Sequence, residues 1–386
     1  MTSLDYPKFV EETHSVNRHN VHNNNISYSE YDCLRCKRKP RKKTSNETLW
    51  KTLIVLVVGF FLFRYVMPSS CSFILHSIFV PNPHKNIKYE FRYPTADYLN
   101  NNLVLGRHLF SFAAEKKQGM EKLKENVNMP VLRSGLISLM ENYPDLKPSI
   151  YVWDYETQNY VSINASKTYP TASIIKIPVL IDVFKSIENN QFSLEDKMAL
   201  TEIFRTEGSG NLQFHARNSK YTIDELANRM IIDSDNSATN MLISKVGSMQ
   251  DVNSQIRAWG LNNTEINTWL PDYRGTNFST AKDIATMLYN IDYNDKFLSE
   301  FSRSKMLNYM GHVHNNQLAQ AGLGEGSVFL HKTGDIGQML GDAGIVISPN
   351  GIKYIMVILV KRPHNSFAAK EFIVNASRII YDYMVR

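Results

Sequence analysis

A serine and a lysine three residues apart, Ser173 and Lys176, are the residues of this sequence most suited to nucleophilic chemistry. They stand at the start of an apolar segment, 174–187, which predicts a helix. Side chains three positions apart share one face of a helix. Serine is a poor nucleophile by itself, but a lysine kept neutral by burial can accept its proton. The backbone N–H groups of a helix start can also stabilise a developing oxyanion.

The Ser-x-x-Lys spacing recurs at Ser302 and Lys305, so one such pair is also explained by a helix start beside a solvated lysine. Two further motifs lie downstream. Ser-Asp-Asn at 234–236 separates two predicted helices, where these residues are common helix caps. Lys-Thr-Gly at 332–334 lies on a predicted strand, where an edge-strand lysine is the simpler explanation. The motifs are 61 and 98 residues apart, and each lies on the element that its chemistry needs.

Taken together, the three motifs resemble those of the class A β-lactamase family, within the wider group of penicillin-recognising serine enzymes. The resemblance covers about residues 130–386, and the stretch 234–242, SDNSATNML, is especially similar to the family's form. It implies an α+β sandwich of the β-lactamase/transpeptidase type, in which an antiparallel sheet is flanked by helices and joined by an all-α subdomain.

The resemblance also implies roles for the residues of the motifs. Ser173 would attack the carbonyl carbon of a β-lactam or a D-alanyl peptide, with Lys176 as its base or sharing that role. Ser234 would relay a proton to the leaving nitrogen, with Lys332 nearby. No metal and no cofactor are required for this chemistry.

Four further residues would bind the substrate, again by resemblance. Asn236 would contact its side-chain amide, and Thr333 would hold its carboxylate together with Lys332, which is a charge-assisted contact. Gly334 belongs to the same substrate-binding strand. The backbone N–H groups of Asp335 and of the nucleophile would form the oxyanion hole.

The sequence departs from the family's pattern in the loop that precedes the last helical part. The family carries a glutamate there, in a Glu-x-x-Leu-Asn pattern, and this residue positions the water that releases the acyl-enzyme. An ungapped comparison places Leu270 at that position, and the nearby acids Glu265 and Asp272 do not fit the pattern. We therefore expect acylation to be retained and deacylation to be slow, unless one of these acids substitutes. The family's arginine near the substrate carboxylate also has no clear match after Gly334.

Residue patterns indicate the same architecture. Strands at both ends of the domain with helices between them imply a sheet completed by distant segments and a helical insert. The helices are predicted at 131–140, 221–230, 238–246, 280–288 (with Thr280 as its cap) and 372–385, and the strands at 149–154, 159–162, 327–331, 343–347 and 352–360.

The first 129 residues have a different composition. Residues 1–48 are polar and end in seven basic residues between Arg35 and Lys43, which predicts a disordered cytoplasmic tail. Because the net charge of the whole chain is +6, the remainder is near neutral, and nothing marks it as a nucleic-acid binder. Cys33 and Cys36 are half of a zinc site or idle thiols on this tail, and the three cysteines give the rest of the chain no disulfide framework.

An apolar segment at 49–67, with aromatic and basic residues at its ends, predicts a single transmembrane helix, and a buried core helix is the alternative. The positive-inside rule then places the tail in the cytoplasm and the following residues outside it. Residues 68–129 are predicted to be a stalk or linker, within which 103–124 is helical in character and is either a spacer or a first packed helix.

Three functions fit these features, and the sequence does not determine the natural substrate or the oligomeric state. The first is a membrane-anchored β-lactam hydrolase of class A type that forms an acyl-enzyme at Ser173. The second is a peptidoglycan D,D-carboxypeptidase or transpeptidase with the same motifs. The third is a receptor whose stable acyl-enzyme is the signal.

Overall fold

The computed structural model describes residues 119–386, so the predicted tail, the predicted membrane span and most of the predicted stalk lie outside the described residues. Within that range, no helix combines the length and hydrophobicity needed to cross a bilayer. The α-helices are α1 Pro130–Glu141, α2 Lys176–Glu188, α3 Ile223–Ile232, α4 Asn236–Lys245, α5 Met249–Ala258, α6 Ala281–Asp292, α7 Glu300–Met310 and α8 Ala368–Met384. The strands are β1 Lys147–Asp154, β2 Tyr160–Ile163, β3 Tyr169–Pro170, β4 Lys197–Ala199, β5 Lys220–Thr222, β6 Phe278–Ser279, β7 Val328–Ile336, β8 Met339–Ile347 and β9 Lys353–Lys361.

The main sheet is antiparallel, with the strand order β2-β1-β9-β8-β7. The first long strand, β1, pairs with the last one, β9, along its whole length. Side chains of the central strands are buried on both faces, so β8 and β9 consist almost entirely of apolar or small residues. The predicted α+β fold, with distant segments completing one sheet, is therefore confirmed.

Each face of the sheet covers a separate apolar core. On one face, α1 and α8 pack against alternate residues of the strands, including Val152, Tyr354 and Ile358. On the other face, α2, α6 and the helices of the insert surround Val357 and Leu359. A local signal starts α6 where the sequence places it: Thr280 Oγ1 accepts the N–H of Asp283 at 2.9 Å, as the predicted cap requires.

The segment that carries Ser173 differs in detail from the predicted helix. Residues Ala172–Ile175 form one 3₁₀ turn, and the α-helix begins only at Lys176. Ala172 has a φ of +45°, a conformation that L-residues adopt at a cost of about 1–3 kcal/mol. This reversal turns the chain out of β3 and into the 3₁₀ turn, which is a common way to start an α-helix.

Residues 119–129 pack against the domain. Met120 and Leu123 are buried in the core, and the carboxylate of Glu125 accepts the Tyr151 hydroxyl at 2.7 Å and binds the Lys282 ammonium at 2.8 Å. The packed structure therefore begins before Pro130, the residue at which the resemblance starts. Residues 119–124 are not helical, so the helical character predicted for 103–124 is wrong for this part, and the remainder lies outside the described residues.

Helix α2 contains a buried acid that takes no part in the motifs. Asp182 is 4% exposed. Burial, and to a lesser extent the charge of Asp251, raises the pKa of its carboxyl group to about 7. An acid whose pKa is higher in the folded state destabilises that state at every pH at which the unfolded chain is ionised.

We expect Asp182→Asn to stabilise the protein more at pH 8.5 than at pH 4. At pH 4 the buried carboxyl is neutral and the substitution removes no charge, whereas above about pH 7 it removes a buried anion. The measurement is the thermal midpoint at both pH values, which rises by about 2–4 °C for each kcal/mol gained. Asp145→Asn, at an exposed position, is the matched control and should show no such difference. A gain that is equal at both pH values would contradict the assignment.

Candidate active site

The amino group of Lys176 is the centre of the site. Its Nζ lies 3.0 Å from the Oγ of Ser173, 3.1 Å from the Oγ of Ser234 and 2.9 Å from the Oδ1 of Asn236. It also donates to the carbonyl oxygen of Ser234 at 2.6 Å. Lys176 is fully buried, whereas the two serines are half-buried and line the accessible side. The first two motifs of the sequence therefore meet at one side chain.

The third motif reaches the same point from the sheet. Lys332 on β7 is fully buried, and its Nζ donates to the Oγ of Ser234 at 3.0 Å and to the carbonyl of Thr333 at 3.1 Å. The Ser234 hydroxyl therefore lies between two lysine amino groups. Ser234 has a φ of +55°, a strained backbone conformation that directs the turn between α3 and α4 into the site.

A glycine allows β7 to approach the turn that carries Ser173. A Cβ atom on Gly334 would lie 2.5 Å from the carbonyl oxygen of Thr171 and 3.3 Å from the Cβ of Ala172. Any larger residue would push the strand away from the turn that carries Ser173. This contact brings the backbone of Asp335 beside that turn, where the sequence predicts the oxyanion hole.

Burial sets the protonation of both lysines. Desolvation first, and then the charge of Lys332, lower the pKa of Lys176 well below its ordinary value, although Asp235 opposes this. Desolvation lowers the pKa of Lys332 to about 8, against the effect of Asp342. The neutral form of Lys176 is thus favoured, and a neutral amine within hydrogen-bond distance of a serine hydroxyl can accept its proton.

A loop that the sequence analysis did not single out closes one side of the site. The Nδ2 of Asn236 donates to the carbonyl of Glu207 at 3.1 Å, and its backbone N–H donates to that of Ser209 at 3.0 Å. Gly210 has a φ of +92° and leaves no room for a Cβ, because that atom would lie 2.2 Å from the carboxylate of Asp235. The Gly-Ser-Gly sequence at 208–210 was the available signal for such a tight turn.

The neighbouring loop, which contains the family's glutamate position, holds a leucine. Leu270 is 4% exposed, and the Asn240 side chain binds both its N–H (3.0 Å) and its carbonyl (2.7 Å). Asn240 lies one turn along α4 from Asn236, which contacts Lys176, so the leucine is close to the site. The backbone of this loop is thus anchored where the acid of the family would stand.

In the part of the chain that the structure describes, neither candidate acid is hydrogen-bonded to Ser173. The carboxylate of Asp272 accepts the hydroxyl of Thr276 at 3.0 Å and the N–H of Asn277 at 2.6 Å, and both bonds lie within the loop itself. Glu265 is paired through its backbone with Phe278. Within residues 119–386, no hydrogen bond joins either carboxylate to Ser173 or Lys176.

An arginine from the end of β9 supports the strand segment after Gly334. Arg362 is ion-paired with the carboxylate of Asp335, and it donates to the carbonyls of Ile336 at 3.1 Å and Gly337 at 3.3 Å. Its side chain is 6% exposed. No motif marks this residue, because Asp335, Ile336 and Gly337 are more than twenty positions away in the chain.

Comparison with known proteins places this arrangement in a family. The model of the β-lactamase enzyme family matches residues 132–384. The chain belongs to that family. A solved structure of PBP-A is 35% identical, with a TM-score of 0.66 over 68% of this chain and 98% of that one. β-Lactamase VEB-1 of Pseudomonas aeruginosa is 22% identical over 61% of this chain and 84% of its own length.

Family membership confirms the resemblance to class A β-lactamases, and the chain is a serine hydrolase of the β-lactamase type. A second solved structure, at 34% identity and a TM-score of 0.65, is a leucine-to-glutamate variant of PBP-A as an acyl-enzyme complex with penicillin G.

The other Ser-x-x-Lys pair lies elsewhere in this β-lactamase-family domain: Lys305 is ion-paired with Asp224 at 2.7 Å, and Ser302 interacts with Ser299, the cap of its own helix.

The two lowered lysine pKa values predict how acylation depends on pH. The rate should rise as Lys176 loses its proton, and it should fall above about pH 8 as Lys332 becomes neutral and can no longer hold a substrate carboxylate. The measurement is the acylation rate with a chromogenic cephalosporin between pH 5 and pH 10. The two limbs of this profile give the apparent pKa values of the coupled pair Lys176 and Lys332.

Lys332→Arg is the matched variant, because a guanidinium stays charged throughout this range. The substitution should lower the maximal acylation rate, since a planar guanidinium replaces a compact ammonium group. It should also remove the alkaline limb of the pH profile. An alkaline limb that keeps its midpoint in this variant would show that Lys332 does not cause it.

Proposed function

We propose that this protein is acylated at Ser173 by β-lactams and releases the product slowly. Ser173 Oγ attacks the carbonyl carbon of the lactam, and its proton passes to the neutral amine of Lys176. The observation that supports this most directly is the 3.0 Å separation of those two atoms, with the amine fully buried. The tetrahedral oxyanion is stabilised by the N–H groups of Ser173 and Asp335.

Breaking the lactam C–N bond requires a proton on the leaving nitrogen. Ser234 supplies it, because its hydroxyl lies within hydrogen-bond distance of both Lys176 and Lys332 and can be reprotonated by either. Lys332 and Thr333 bind the carboxylate of the substrate, and Asn236 binds its side-chain amide. Each step therefore moves one proton between neighbouring groups, and no metal ion or cofactor takes part in it.

The second half of the reaction lacks a base. Water must attack the acyl-enzyme, and a general base commonly contributes about 10² to 10⁴ in rate. The loop beside α4 carries Leu270 at the position of the family's glutamate, and Asp272 is engaged within its own loop. This favours a long-lived acyl-enzyme.

The same features favour a second candidate, a D,D-carboxypeptidase that cleaves the terminal D-alanine from a peptide. The likeness to PBP-A, at 35% identity over 98% of that chain, supports it, because a structure of a PBP-A variant holds penicillin G as an acyl-enzyme. In this candidate the β-lactam occupies the site as an analogue of the peptide, and slow deacylation of the drug carries no disadvantage.

The apolar segment 49–67 supports a membrane location for this activity. We infer that it anchors the chain with the basic residues Arg35 to Lys43 on the cytoplasmic side and the catalytic domain outside, where peptidoglycan and β-lactams are encountered.

One time course separates these functions. Full-length protein mixed with a chromogenic cephalosporin should give a stoichiometric burst followed by a slow steady state, and Ser173→Ala should abolish the burst. Fast continued turnover would instead identify an efficient β-lactamase. Release of D-alanine from a pentapeptide would identify the carboxypeptidase, and a burst with neither activity would identify a receptor. A folded protein that gives no burst at all would overturn the proposal.

A carboxylate at the leucine position should restore turnover. We expect Leu270→Glu to increase the deacylation rate at least tenfold, up to the 10² to 10⁴ or so that a general base contributes, with little change in the burst. Leu270→Gln has nearly the same shape without the base and is the matched control. Equal rates for the two variants would show that the missing base does not limit deacylation.

A further inference from the structure

A second cleft lies at one end of the main sheet, outside the motifs. It has a volume of about 640 Å³ and is formed by the start of β1, the end of β9, and the turn that leads into β3. Its apolar part comes from Met140, Leu146 and Pro148, and the side chain of Tyr169 contributes to its wall. None of the residues that line this cleft belongs to the three motifs of the acylation site.

The cleft carries uncompensated positive charge. Three lysines line it, Lys147, Lys167 and Lys361, and no aspartate or glutamate is among the described residues that do so. None of the three forms an ion pair within residues 119–386. Burial, and then the charge of Lys147, lower the pKa of Lys361. An anion in the cleft would relieve that repulsion.

The amino group of Lys361 is held in place. Its Nζ donates to the carbonyl of Thr168 at 3.2 Å and lies 4.4 Å from the centroid of the Tyr169 ring. The turn below it is braced by Asn164, whose Nδ2 donates to the carbonyl of Pro148 at 3.0 Å. Lys147 and Lys167 are exposed at the rim. The cleft therefore offers one positioned cation and two adjustable ones.

The position of the cleft links it to the acylation site. One row of residues crosses the sheet through Ile336, Met339, Lys361 and Lys147, which are opposite one another in register. At about 5 Å per strand, Lys361 lies about 10 Å from Ile336, the residue after Asp335. The wall residue Tyr169 also precedes Ser173 by only four positions. A ligand that reaches both places must be extended.

We propose that this lysine cleft binds the carboxylate groups of an extended acidic peptide, whose acylated end lies at Ser173. Ammonium groups beside an aromatic ring and aliphatic side chains suit carboxylates carried on a flexible aliphatic chain. The link to Ser173 rests on the proposed function, whereas anion binding in the cleft does not. The cleft gives long substrates affinity that small β-lactams cannot use.

Calorimetry with full-length Ser173→Ala protein tests binding without turnover. The probes are tetraglutamate, tetraglutamine and tripolyphosphate. Tetraglutamate should bind, more tightly than tetraglutamine, and its affinity should fall as salt rises. The double variant Lys147→Gln/Lys361→Gln should weaken it about tenfold, as expected for two partly exposed charge pairs. Lys220→Gln, an exposed lysine on β5, is the matched control and should bind as the parent does.

Three results would overturn the proposal: no binding of tetraglutamate, equal binding of tetraglutamine, or an unchanged affinity in the double variant. Binding of tripolyphosphate alone would also do so, because it would assign the cleft to phosphate. The same two substitutions in the protein that retains Ser173 should leave the cephalosporin burst unchanged. An unchanged burst also shows that the double variant is folded. They should raise KM, but not lower kcat, for D-alanine release from an acidic pentapeptide. If no burst occurs and tetraglutamate still binds through these lysines, the proposed function is wrong but anion binding in the cleft is supported.

Discussion

The burial of two lysine amino groups beside two serine hydroxyls is the constraint on which the site depends. Lys176 and Lys332 are both fully buried, and among residues 119–386 neither forms an ion pair with a carboxylate. An isolated buried cation is strongly unfavourable, so its pKa falls until the neutral form competes. The protein offsets the remaining penalty with hydrogen bonds to carbonyl, amide and hydroxyl oxygens. The same bonds aim the lysines at Ser173 and Ser234.

The surrounding framework is built to allow this close approach. Gly334 lets a sheet strand touch the turn that carries the nucleophile, and Gly210 lets a loop pass over the Asp235 carboxylate. Ala172 and Ser234 take up strained backbone conformations, each at one of the two serine-bearing turns. The strain is sustained because the elements on either side, α2, α4 and β7, are anchored in the cores of the domain.

The site is asymmetric in its chemistry. The groups proposed to transfer protons during acylation form one hydrogen-bonded chain, in which Lys176 contacts Ser173 and Ser234, and Ser234 also contacts Lys332. The loop that contains Leu270 is held by the Asn240 side chain and by the Asp272 carboxylate, and within residues 119–386 no hydrogen bond joins Asp272 or Glu265 to Ser173 or Lys176. Under the proposed function, the leucine at this one loop position favours formation of the covalent intermediate over its hydrolysis.

The strands of the main sheet, the three motifs and the absence of a glutamate at Leu270 were readable from the sequence, because they depend on local patterns and on residue identity. Most of the helices were predicted as well, but α5 and α7 were not. The cap Thr280 is also a local signal, and it was found. The sequence could not show which Ser-x-x-Lys pair is buried with a second serine, since that depends on residues 58 and 98 positions apart meeting in space. Arg362 and the packing of 119–129 were missed for the same reason, whereas the turn at 208–210 had a local signal in its Gly-Ser-Gly sequence. Their contacts form only when distant segments of the chain come together in the folded domain. Burial in that fold then decides which lysine is neutral, and the local packing decides which acid, such as Asp272, already accepts hydrogen bonds.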